Sequence, residues 1–285
     1  MTKEEKIEAK ERKKELKRQE KKEAKELSLA RKEEIKREKK VNKKISLRIK
    51  RETVVKNGPK IRENRRKNEA PHLFILEELG NSVSHGIGAG FAIIAMILML
   101  LKSNSGWMIT ASIVYGMSMF FMFFNSCLYH AWKWGSTVKR IWRRFDYTSI
   151  YLLIAGTFAP IQLIELGNEY GSTGQLIGII YFAVMWAIAI VGITFSCVFG
   201  PGHFRKLHFT LYFVLGWSGL SLVPGFIIHE RFGLFSWILL GGIIYTLGMI
   251  PFGALKGKKS AHFIWHLIVN AGVIAHFIGI YLFIY

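Results

Sequence analysis

The chain has 285 residues, 51% of them hydrophobic, and a formal net charge of +20. These two features separate along the sequence: residues 1–70 hold 28 of the 40 Lys/Arg and 14 of the 20 Asp/Glu, so only 18 charges remain for the rest. The two cysteines, Cys127 and Cys197, lie in apolar runs, which argues against a disulfide framework or a cysteine-based zinc module. The basic residues are interleaved with Glu in one tail, which argues against nucleic acid as the partner.

The first forty residues are dominated by Lys, Glu, Arg and Ala, good helix formers with Glu–Lys pairs three or four apart. Ile7, Leu16, Leu27, Leu29 and Ile35 do not sustain a heptad. Residues 1–70 therefore read as a disordered or transiently helical cytosolic arm, broken at Asn57-Gly58-Pro59. Its expected role is to help fix orientation and to touch anionic lipid headgroups. The arm has no apolar h-region, so no secretory signal peptide is expected.

A bilayer core needs about 20 mostly apolar residues per helix. Residues 71–285 supply seven such runs, roughly 86–102, 107–130, 146–166, 175–198, 208–228, 234–254 and 262–285. The expected fold is an all-α integral membrane protein, a seven-transmembrane helix bundle. Cytosolic loops are enriched in Lys/Arg. The second loop holds Lys133, Lys139, Arg140, Arg143 and Arg144; the fourth holds Arg205 and Lys206; the sixth holds Lys256, Lys258 and Lys259. The third has Glu165 and Glu169 and no Lys or Arg. This alternation predicts a cytosolic amino terminus and an outside carboxyl terminus.

That topology brings polar residues from distant segments to one depth. Ser126 and His130 fall at the cytosolic end of the second span, Asp146 opens the third, and His262 and His266 occupy the first turns of the seventh. Ionisable groups within a membrane are costly and face the bundle interior for a functional reason. Positions i and i+4 share a helix face about 5–6 Å apart. His262 and His266 have that spacing, as do Ser126 and His130, so three imidazoles and a hydroxyl can converge. Three histidines plus water is an open zinc site, the arrangement used for catalysis. Asp146, the only aspartate in the chain, can take or orient the proton of metal-bound water.

Each residue also has a plainer reading. An interfacial histidine can be an amphipathic anchor, Asp146 can pair with Arg143 or Arg144, and Ser126 can bond back to its own helix. His276 lies ten residues beyond His266, about 15 Å along a helix. It is expected to be a hydrogen-bonded interior residue and a poor ligand for the same ion. His85 opens the first span and is a candidate to support the ligands, whereas His203 and His208 flank a basic loop and read as interfacial. Trp132, Trp134, Trp142 and Tyr147 read as an aromatic belt.

At these residues the chain resembles the hemolysin III family, the bacterial branch of the progestin and adipoQ receptor superfamily, over about residues 72–285. The resemblance rests on Glu77-Glu78 with Asn81 and Ser84-His85-Gly86, and on Ser126-x-x-x-His130. It continues through Phe145-Asp146-Tyr147, the stretch from Ile154 to Pro160, and His262-x-x-x-His266 with the later His276. It implies a seven-span fold with zinc held by His130, His262 and His266, and with Ser126 and Asp146 beside the metal-bound water. The wider superfamily includes alkaline ceramidases, which implies hydrolysis of a lipid amide. The long Lys/Glu arm departs from the short amino terminus usual in bacterial members.

Three functions follow as expectations: a zinc-dependent lipid amidohydrolase, a receptor-like protein with structural zinc, and a cytolysin. A transporter fits less well, because its site would lie near the bilayer midplane and not at one face.

Overall fold

The computed structural model describes residues 72–251 and 260–285 and, in the arm, residues 15, 17, 19, 21–23, 25–29 and 31–48. The chain divides into two units, Met1–Arg65 and Arg66–Tyr285. In the first, the described residues are helical and exposed, as their composition predicts. The Asn57-Gly58-Pro59 break and the sixth-loop lysines lie outside the described residues.

The second unit is helical, with no strand among its described residues. Its elements are α1 (Ile75–Lys102), α2 (Gly106–Ala131), α3 (Thr137–Pro160), α4 (Leu166–Phe199), α5 (Arg205–Trp217), α6 (Val223–Ile228), α7 (Phe232–Met249) and α8 (Ala261–Phe283). A π-helical turn, Ile161–Glu165, links α3 to α4, and a 3₁₀ turn, Ser218–Leu222, links α5 to α6. Among the described residues six helices are long and apolar enough to cross a membrane. In hydrocarbon only a helix or a closed barrel satisfies its own backbone, so these runs fold as helices.

Local chemistry marks the ends. Ser105 caps α2 by accepting from the Met108 N–H, and Ser136 caps α3 by accepting from the Lys139 N–H. Gly200, at φ 85°, stops α4 in a conformation that favours glycine. Thr137–Phe199 is one helical run of 63 residues, about 95 Å if straight. It does not stay straight, because Gly171 (φ 60°, ψ −143°) breaks it. The chain then folds back, so that Arg144 of α3 donates to the Cys197 carbonyl of α4 and Gln162 donates to Met185 Sδ.

Several helices start earlier than the apolar runs alone predict. α1 begins at Ile75, so Glu77, Glu78 and Asn81 belong to a helix face and not to a lead-in loop. α3 begins at Thr137, which puts Lys139 and Arg143 inside the bundle. Capping and packing extend a helix past its apolar core wherever the polar residues find partners.

Small residues bring the helices close, as expected where lipid supplies little hydrophobic drive between them. Ala89, Ala92 and Ala95 are buried along α1, and Gly88 admits the Phe123 ring of α2. Where α3 turns into α4, Glu165 is buried and paired bidentately with Arg231 (2.5 and 3.0 Å). The same guanidinium donates to the Phe283 carbonyl, and the paired carboxylate pushes the Arg231 pKa upward.

Candidate functional site

At the opposite end, the carboxyl-terminal turn of α2 meets the first turns of α1, α3 and α8. His130 Nε2 lies 3.3 Å from His262 Nε2, which lies 3.3 Å from His266 Nε2. One ligand atom from each of the three fits within 4.8 Å of the others. Two ligands at about 2.0–2.1 Å from a tetrahedral ion sit about 3.3–3.4 Å apart, the separation of His262 Nε2 from each of the other two. The triad can hold a metal ion. The structure thus brings together the three imidazoles that the i, i+4 argument selected, although 132 residues separate His130 from His262.

His130 is fixed from behind. Its Nδ1 is 2.6 Å from Glu78 Oε2, and Glu78 Oε1 is 2.9 Å from Lys139 Nζ. Lys139 is buried, at 1% exposure, and also donates to the Tyr129 carbonyl at 3.0 Å. That carbonyl belongs to the last turn of α2, whose oxygens have no partner within the helix. Asn81 Nδ2 approaches the same His130 nitrogen at 3.4 Å. Sequence reasoning missed this arrangement: Glu78 entered only as part of a motif and Lys139 only as a loop cation.

Ser126, on α2, is buried and faces the same cavity as Asp146 of α3. Of the two arginines near Asp146, Arg144 donates to the Cys197 carbonyl, while Arg143 is buried with its guanidinium over the Tyr147 ring at 5.3 Å. Both Ser126 and Asp146 line a cavity of about 190 Å³, as do His262 and His266. The rest of its wall is mainly aliphatic and aromatic, including Leu153, Ile154, Phe158, Phe209 and Val269. A mainly apolar chamber with a cluster of polar groups beside the triad, and with Thr157, Thr246 and His276 also in its wall, suits an amphiphile.

The remaining histidines divide. His85 is buried with its ring 3.8 Å from that of His266, and it also lines the cavity. His276 hydrogen-bonds the Ile238 carbonyl at 3.0 Å, as an interior residue would. His208 corrects the sequence reading: it is buried, with Nδ1 2.7 Å from the Tyr151 hydroxyl, because α5 packs that face against α3. Tyr147 also departs from its expected place in an aromatic belt, since it lines the cavity.

Fold and site together define a helical, multi-pass integral membrane protein with a histidine triad between its helices. Comparison with known proteins gives that class a family. Residues 74–277 match the family described as Haemolysin-III related. The chain is 34% identical to "Hemolysin-3" of Bacillus cereus over 202 residues, covering 70% of this chain and 88% of that one. It is 32% identical to "Hemolysin-3 homolog" of Bacillus subtilis (strain 168) over 206 residues, covering 71% and 92%. The human "Monocyte to macrophage differentiation factor" is more distant, 26% identical over 214 residues, covering 73% and 85%. The chain belongs to the hemolysin III family.

Proposed function

We propose that this protein is a zinc-dependent lipid amide hydrolase whose site opens from the bilayer near the cytosolic face. The observation that carries this reading is the convergence of three imidazoles, with His130 Nε2 and His266 Nε2 each 3.3 Å from His262 Nε2, beside a cavity that Ser126 and Asp146 also line. An all-imidazole donor set suits zinc. Held there, zinc would supply Lewis acidity towards a carbonyl and lower the pKa of a water towards ~7.

The chain's own groups then have defined tasks. Asp146, half-buried at the cavity wall, is the proton acceptor and returns the proton to the leaving amine. Ser126, buried and lining the same cavity, offers its hydroxyl to the substrate's oxygen. The apolar wall takes the acyl chain and excludes water.

The topology belongs to the same proposal. The bend at Gly171 lets the 63-residue run cross twice, which makes seven spans. The triad end carries Lys139, Arg140, Arg143, Arg144, Arg205 and Lys206, a basic balance that supports a cytosolic location for it and for the amino terminus. The charged arm is then positioned for anionic headgroups of the inner leaflet. A reporter fused after Tyr285 that works only outside the cell is the expected result.

Metal content of the detergent-purified protein tests the core of the reading. Wild type should carry about one zinc per chain, and His130→Ala and His266→Ala should each lose it. Stoichiometric zinc in both variants would remove the site. Turnover over a panel of ceramides and other N-acyl lipids tests the chemistry. Zinc retained without turnover on any of them would leave a structural metal, as in a receptor-like protein.

A further inference from the structure

We infer that Glu78, held in place by Lys139, is the positioning residue of the triad: it selects the tautomer in which His130 presents Nε2 to a cation. This rests on reading the triad as a metal site. A neutral imidazole carries one proton, and the nitrogen that bears it cannot ligate. His130 must therefore keep its proton on Nδ1 if Nε2, the atom facing His262, is to bind.

Two groups compete for that Nδ1. Glu78 Oε2 at 2.6 Å can only accept when ionised, and it demands a proton there. Asn81 Nδ2 at 3.4 Å offers a hydrogen of its own, which favours the proton on Nε2. The carboxylate is closer and charged, and charge-assisted bonds are roughly twice as strong as neutral ones. With Glu78 the ligand nitrogen is free, and without it the Asn81 amide is the remaining neighbour and the wrong tautomer gains.

Lys139 makes this choice dependable. Its ammonium, at the first turn of α3, bridges Glu78 Oε1 and the Tyr129 carbonyl, one residue before His130. The carboxylate is thereby held from the side opposite the imidazole, and the bridge is anchored to the backbone that carries the ligand. No comparable carboxylate serves His266, whose Nδ1 is buried without a hydrogen-bond partner among the described residues. The relay is that of His130.

An ion pair joining α1 to α3 could instead be only a tie between helices, and the test separates the two roles. Glu78→Gln keeps the shape and an accepting oxygen but loses the charge. The double variant E78M/K139M removes both charges and leaves no unpaired buried ion, so it is expected to fold. Zinc affinity is read by competition with a chromophoric chelator, and ligand geometry by the absorption spectrum of the cobalt-loaded protein.

Partners of this kind are worth about 10–100-fold in metal affinity. Glu78→Gln should bind zinc about tenfold more weakly and E78M/K139M about 100-fold more weakly, with an altered cobalt spectrum in the latter. A zinc affinity within about threefold of wild type in both variants, with an unchanged cobalt spectrum, would overturn the relay and leave a helix tie. Full zinc retention in His130→Ala would overturn the metal reading itself, a result distinguishable from failure of the relay.

Discussion

Where α3 turns into α4, Arg231 grips Glu165 with two hydrogen bonds and reaches the Phe283 carbonyl, while Glu169 takes His229 at 2.8 Å. At the other end Glu78, Lys139 and His130 form a similar chain of charge and imidazole. In the first cluster both carboxylates meet the Arg231 guanidinium, which itself ends on backbone. The second passes through His130 to an Nε2 that faces two more imidazole nitrogens beside a cavity. Buried polar groups that neutralise one another hold helices together, whereas groups whose lone pairs converge can hold something else. On the proposed function, the same residue types serve a structural end and a chemical end of one bundle.

Substitutions at the two ends should separate these roles. Asp146→Asn should cut lipid amide turnover about 10³-fold with zinc content unchanged, because a positioned acid–base group is worth about 10²–10⁴. Loss of zinc in this variant would place Asp146 in the metal's coordination instead. Arg231→Met should do the reverse. It strands the buried Glu165 charge at a cost of about 3 kcal/mol, or roughly 6–12 °C in the midpoint of thermal unfolding, without lowering zinc affinity. A Tm within about 2 °C of wild type would remove the structural role assigned to that corner.

Smaller effects sharpen the contrast. Ser126→Ala should lower turnover about tenfold, the rough worth of one hydrogen bond to a charged group, again with zinc retained. Tyr285→Phe removes a hydroxyl that accepts from Ser112 at 2.8 Å and donates to the Met108 carbonyl at 3.2 Å. It should cost about 1 kcal/mol, or roughly 2–4 °C, and leave turnover alone. A change in turnover there would mean that the two ends are coupled.

Much of the site was legible in the chain. His262 and His266, and Ser126 and His130, could be paired because a helix repeats its face every three to four residues. Asp146 followed from depth alone, since the charge pattern of the loops fixes which ends of the helices share a level. The role of Glu78 was not legible. It is adjacent to Glu77, and neighbours on a helix point about 100° apart, so only the rotation of α1 against α2 decides which carboxylate meets His130. Lys139 looked like one more loop cation, and nothing in its vicinity marks it as buried. His208 misled for the same reason, because a basic neighbourhood suggests an interface until α5 is seen packed on α3.

Sequence by itself determined the solvent of each segment: a water-facing arm, apolar helices for lipid, and a small set of polar residues gathered at one depth. It could do so because hydropathy and helical period act within a single segment against its surroundings. Tertiary structure alone decided which nitrogen meets which oxygen, that Glu78 and not Glu77 serves His130, and that the triad opens on a cavity. Those facts depend on how the helices are rotated and how closely their small residues let them approach, properties that belong to pairs of segments rather than to any one.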